Sequence, residues 1–141
     1  MGEVVAIILG IIFGLLSLLH VAWAIGVSWG FDASLPTNED GKRVLNPTKR
    51  DSLIVAIGLG FFATFYALRL FGVRLTLSDT IEQVISWVIP SIFLLRTLGD
   101  FKYFGLFKKV KTTAFAILDS RLIIPLCLII SLLGFYLATM A

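Results

Sequence analysis

The stretch Val4-Val-Ala-Ile-Ile-Leu-Gly-Ile-Ile-Phe-Gly-Leu-Leu-Ser-Leu-Leu-His-Val-Ala-Trp-Ala-Ile-Gly26 contains no charged residue, and the uncharged run continues to Phe31. A helix rises about 1.5 Å per residue, so about 20 apolar residues cross the roughly 30 Å of bilayer hydrocarbon. Residues 53–68 and 122–141 are likewise free of charge. A fourth, shorter run lies at 83–95 and carries Pro90. The reading is an all-α, polytopic membrane protein: a four-transmembrane-helix bundle forming a single transmembrane domain over 1–141. Its helices are expected at about 3–26, 53–73, 80–98 and 122–140, with long loops at 28–52 and 99–121.

Composition excludes several other classes. The 141 residues are 58% hydrophobic and 15% charged, whereas soluble domains run nearer a quarter charged. A chain this small cannot bury all of its apolar runs in a soluble core. The runs also lack the alternation of β-barrel strands. The single cysteine, Cys127, permits no intrachain disulfide, and no Cys/His metal set exists. The net charge of +3 resides in loops, which suits anionic headgroups better than nucleic acid. No metal, cofactor or nucleic-acid partner is expected.

Outward from the first run, Gly10, Gly14, Ser17, Val21 and Ala24 fall along one helical stripe. The Gly10-x-x-x-Gly14 spacing lets two backbones approach closely in lipid, so a homo-oligomer through Gly10 and Gly14 is one expectation. Ala22-Trp23-Ala24 mimics a signal-peptide cleavage site. The segment before it lacks Lys and Arg and its apolar run is too long, so a retained helix is expected. The loop at 28–52 holds a turn cluster at 38–41 and four cations, Lys42, Arg43, Lys49 and Arg50. Asp51 or Ser52 would cap the second helix, in which Gly58 and Gly60 permit close packing. Arg69 and Arg74 would snorkel to the interface. The short connection 75–78 implies an antiparallel hairpin of helices two and three, with Asp79 and Glu82 spaced as a capping box. Glu82, Ser86, Phe93 and Arg96 share a face that should look into the bundle, and Pro90 should kink the helix. The fourth helix would carry Pro125 in its first turn.

The loops at 28–52 and 99–121, with Arg96 at the latter's edge, hold ten Lys and Arg residues, and the opposite side holds Arg69 and Arg74. The positive-inside rule then places both long loops in the cytoplasm and both termini outside.

Polar chemistry concentrates in Arg96-Thr-Leu-Gly-Asp-Phe-Lys-Tyr-Phe-Gly-Leu-Phe-Lys-Lys-Val-Lys111, which holds five of the twelve Lys and Arg residues. Arg96 and Asp100 stand four apart, the spacing of a helical brace, and Asp119 closes the segment. The alternative is a pocket in which Arg96 grips an anion and a carboxylate handles protons. Lys102, Lys108, Lys109 and Lys111 alternate with aromatic rings, the pattern of a segment lying on lipid headgroups. His20, with Trp23 three residues on, is the only histidine. It reads either as a hydrogen bond to a neighbouring helix or as part of a ligand site. No Ser/His/Asp set or phosphate-cradling glycine loop marks an enzyme.

His20-Val-Ala-Trp23-Ala24, the loop from Trp29-Gly-Phe-Asp32 to Pro36, Arg96-x-x-Gly99-Asp100-Phe101, Phe107-Lys108, Thr113-x-Phe115-Ala116-x-x-Asp119 and Pro125-Leu126-Cys127 together resemble the small bacterial membrane proteins catalogued as domain of unknown function 3995. The resemblance implies four membrane helices and a bacterial plasma membrane, and no activity. The family's Tyr-Ser pair before Pro-Leu-Cys is replaced here by Ile123-Ile124. The residues lead to a non-enzymatic binding or accessory protein. Its site for a membrane lipid or other amphiphilic anion would be lined by His20, Trp23, Arg96, Asp100 and Asp119. The alternatives are a small oligomeric transporter or channel subunit, and a membrane enzyme acting on a lipid-soluble substrate. The enzyme would need two of His20, Asp100 and Asp119 at one point.

Overall fold

The structure is a computed structural model, described over residues 1–73 and 78–140. Four helices are long and apolar enough to cross a membrane: α1 (Gly2–Ile25), α2 (Lys49–Leu70), α3 (Asp79–Leu98) and α4 (Ala114–Ala138). Their outer faces expose Leu15, Leu18, Ile54, Ile57, Leu95 and Leu132, each more than 60% accessible. Such a belt is costly in water and ordinary in lipid. The chain is an all-α, multi-pass membrane protein.

Lipid tails are as apolar as leucine, so helices associate through close packing and interhelical hydrogen bonds. The principal pairs are α1 with α2 and α3 with α4. The expected hairpin of α2 and α3 is therefore not the main packing unit. Part of its connection, and Arg74, lie outside the described residues. The glycine stripe of α1 is used within the chain. Ser17 Oγ donates to the Ala56 carbonyl at 2.7 Å. A β-carbon on Gly60 would meet Ser17 Oγ at 3.3 Å, and one on Gly10 would meet the Ala63 carbonyl at 3.8 Å. Nothing stands within 4 Å of Gly14 or Gly58, so the close approach uses Gly10 and Gly60. Phe13, fully buried, stacks on Tyr66 and meets Phe62 and Phe93, tying α1 to α2 and α3.

Three helix starts differ from the sequence reading because local capping chemistry wins. Thr48 caps α2 in a reciprocal box with Asp51, which begins the helix at Lys49 rather than 53. Ser78 caps α3 by accepting from the Ile81 amide, so Asp79 is the first helical residue and the Asp79/Glu82 box does not form. Thr113 caps α4, its Oγ1 accepting from the Ala116 amide at 3.1 Å. The last span thus begins eight residues before the expected 122, while Pro125 stands in the first turn of its regular α segment, Ile124–Ala138, as expected. Proline lacks an amide hydrogen and its ring crowds the carbonyl four residues back. A π turn over Asp119–Ile123, closed by the Ile124 amide on the Asp119 carbonyl, accommodates it. The turn inserts an extra residue per hydrogen-bonded ring and sets the direction of Asp119.

Both long loops lie at one end of the bundle. In the first, Asp32–Ser34 forms a 3-10 turn packed on the opening turn of α4. Asp32 pairs with Arg43, and a Thr37–Arg43 bridge closes the tip.

Candidate functional site

The end of α3 decides where the polar groups go. Gly99 has φ 88°, a left-handed value that takes the chain off the helix axis after Leu98. Asp100 therefore leaves the face that carries Arg96, and the expected Arg96–Asp100 brace does not form. Asp100 Oδ1 instead accepts the amides of Lys102, Tyr103 and Phe104 at 2.9, 2.7 and 3.0 Å. Burial alone would push this carboxyl up. The Phe104, Lys102 and Tyr103 amides outweigh it and hold the group below its ordinary value of 3.8. Phe101, in the left-handed region at φ 63°, stacks on Phe107 with ring centroids 5.9 Å apart.

Arg96 turns to Asp119 on α4, donating from Nη2 to Oδ1 at 2.8 Å. Its guanidinium also sits 4.5 Å from the Phe104 ring centroid. Asp119 is fully buried. Its Oδ2 accepts from Lys108 Nζ at 3.0 Å and from the Gly105 amide at 2.9 Å. Lys108, 4% exposed, also donates to Ser120 Oγ at 2.7 Å and the Gly105 carbonyl at 3.3 Å. This corrects the expectation for Lys108: its ammonium is spent inside the protein and is not a headgroup contact. Lys102, Lys109 and Lys111 stay exposed. A buried carboxylate is tolerated when paired and fully hydrogen-bonded, and here two cations and one amide share it. Arg96 Nη1 is buried with no hydrogen-bond partner.

His20 and Trp23 form a separate aromatic cluster. His20 Nδ1 donates to the Leu16 carbonyl at 2.8 Å, and its ring lies 4.7 Å from that of Trp23. Trp23 stacks edge-on with Phe31, and its Nε1 donates to the Trp29 carbonyl at 2.8 Å. These contacts brace the first loop. Among the described residues no hydrogen bond joins any two of His20, Asp100 and Asp119. No group of three His, Cys, Asp or Glu able to hold a metal occurs among the described residues.

Between the loops is an open cleft of about 780 Å³, lined by Asn38, Glu39 and Asp40 on one side and by Asp100, Phe101, Lys102, Tyr103, Lys109 and Val110 on the other. Structure thus joins Arg96 with Asp119, adds Lys108, and leaves Asp100 at the cleft wall.

No curated protein and no solved structure matches the chain. One family profile does, described as "Protein of unknown function (DUF3995)", over residues 13–134. The match takes in α2, α3, both loops, about half of α1 and most of α4, and the chain belongs to the DUF3995 family.

Proposed function

We propose that the protein is a non-enzymatic membrane binding or accessory protein that holds an anionic headgroup, of a lipid or another amphiphile, at the loop-side rim. The observation that carries this reading is the buried Arg96 Nη1 without a partner. Arg96 and Lys108 bring two positive charges to one carboxylate, so the cluster keeps one positive charge and a spare donor. Lys102, Lys109 and Lys111, exposed on the same loop, add long-range attraction worth about 1 kcal/mol each near an anionic leaflet. The fork of arginine suits a phosphate or carboxylate. By the positive-inside rule this rim faces the cytoplasm and both termini lie outside.

The test is native mass spectrometry of the purified protein with phosphatidylglycerol against phosphatidylcholine. Wild type should retain the anionic lipid, and Arg96→Gln should lose about tenfold or more of that affinity, the worth of one charge-assisted hydrogen bond. Equal retention by wild type, Arg96→Gln and Asp100→Ala would sink the assignment.

A further inference from the structure

The opposite end of the bundle carries a second polar site. Arg69, in the last turn of α2, does not snorkel outward as its position near the helix end suggests. It turns inward, donating from Nη1 to Ser86 Oγ at 3.3 Å and from Nη2 to the Leu137 carbonyl at 2.9 Å. Both acceptors are neutral, and no carboxylate of the described residues lies within ion-pair distance of it. Ser86 Oγ is meanwhile committed to the Glu82 carbonyl at 2.9 Å. One helical turn before Ser86, Glu82 Oε1 is buried without any hydrogen-bond partner. Arg69 and Glu82 line the same half-open cleft, of about 530 Å³, between the ends of α2, α3 and α4. Its remaining walls are mixed, with Phe65, Leu68 and Met140 on the apolar side and Asp79 and Gln83 on the polar side.

An opposite-charge pair in one cleft would ordinarily close on itself. Here the two groups form no ion pair, Arg69 being held by acceptors on α3 and α4. A buried carboxylate oxygen without a donor keeps its full desolvation penalty, so the arrangement is complete only when a ligand supplies N–H or O–H to Glu82. Arg69, bonded only to neutral oxygens, is complete when the same ligand supplies an anion. The polar groups beside Phe65, Leu68 and Met140, and the place of the cleft at the end of three membrane helices, suit a lipid headgroup with its glycerol end against the apolar side.

We infer that this cleft binds a phosphate–ammonium group, phosphate on Arg69 and a primary ammonium on Glu82, as in an ethanolamine phospholipid headgroup or its free phosphoethanolamine. The ammonium must carry hydrogens. A trimethylated one has none to give Glu82 and is too bulky to approach it as a donor, so choline headgroups are disfavoured. The site shares no residue with the loop-side rim and stands or falls independently of it.

The experiment is lipid retention by the wild-type protein, read by native mass spectrometry, across phosphatidylethanolamine and its mono-, di- and trimethylated forms. Retention of the ethanolamine lipid should exceed that of the trimethylated one by about tenfold, with the fall concentrated at the last methyl group. Glu82→Gln, which keeps the side chain's size, should abolish the discrimination, and Arg69→Gln should weaken retention of every form. A parallel thermal-shift titration in detergent with phosphoethanolamine and phosphocholine separates the two sources. Stabilisation by free phosphoethanolamine identifies a soluble ligand as sufficient, and retention of the lipid alone identifies the membrane as the source. Equal retention across the methylation series together with no shift from phosphoethanolamine would overturn the proposal using wild-type protein alone. So would discrimination that survives Glu82→Gln.

Discussion

The backbones of Gly99 and Gly105 touch. A β-carbon on Gly99 would lie 1.9 Å from the Phe104 carbonyl oxygen, and one on Gly105 would lie 2.4 Å from the Gly99 α-carbon. Both glycines also have φ 88°. This crossing ties the start of the polar loop to the residue whose amide binds Asp119. Gly99→Ala and Gly105→Ala should each cost at least about 3 kcal/mol, combining left-handed strain with overlap against rigid backbone. Thermal unfolding in detergent would show it as a large drop in Tm. A change within a degree of wild type would mean the crossing is not as close as described.

Asp119 is the partner of both Arg96 and Lys108. Asp119→Ala strands two cations and the Gly105 amide, so a loss of about 3–5 kcal/mol is expected. Lys108→Met should cost less, since Asp119 keeps Arg96 and the loop amide. The double variant Lys108→Met/Asp119→Leu should recover part of the Asp119→Ala loss, because it removes a charge of each sign. Equal stability of Asp119→Ala and wild type would show that the cluster contributes nothing to folding.

The carboxyl of Asp100 has a lower pKa folded than unfolded, through its three amide donors. A depressed carboxyl pKa contributes stability that is complete above the unfolded value, near 3.8, and is lost as pH falls through the lower folded value. The amides of Lys102, Tyr103 and Phe104 should therefore stay protected from hydrogen exchange down to that range and open below it. Asp100→Ala should leave them unprotected at every pH. Protection that is the same in this variant would remove the carboxylate from the account.

Two small residues on the helices should respond oppositely. A β-carbon on Gly134 would sit 2.8 Å from the Pro90 β-carbon, in a rigid ring at the α3–α4 contact. Gly134→Ala should cost about 1–3 kcal/mol. Gly58 has nothing within 4 Å, and Gly58→Ala should be neutral or stabilising by up to about 1 kcal/mol. The difference is measurable as opposite changes in Tm.

The shared rim is open to a topological check. Val44 is 39% exposed and Lys111 is also exposed, while the native Cys127 is buried. Cysteines at Val44 and Lys111 should react with impermeant reagent from one compartment, the cytoplasmic one under the proposed orientation. Reaction from opposite compartments would break the common rim apart.

The four spans were legible because bilayer thickness imposes a length that charge-free runs reveal directly. Helix ends were harder to read, since single hydroxyls at Thr48, Ser78 and Thr113 set them. The Arg96–Asp119 pair spans 23 positions and the Lys108–Asp119 pair 11, and their meeting depends on how the loop folds between them. The nearer Arg96–Asp100 spacing misled because a brace needs the helix to continue, and the chain leaves it at Gly99. One signal was present: glycines at 99 and 105 with a capping threonine at 113 mark a loop that doubles back before α4. Arg69 departs from its expected place for a related reason. Proximity to a helix end suggested the bilayer surface, while its acceptors on α3 and α4 lay on other segments of the chain.

The fully buried carboxylate of Asp119 also makes the C-terminal half interdependent. Its two cations come from elsewhere in the chain, Lys108 from the loop and Arg96 from α3. Parted from them, that side chain would be a lone charge in an apolar setting, the costliest state open to it. The final helix and α3 with its following loop are thus matched halves, each cut to the other.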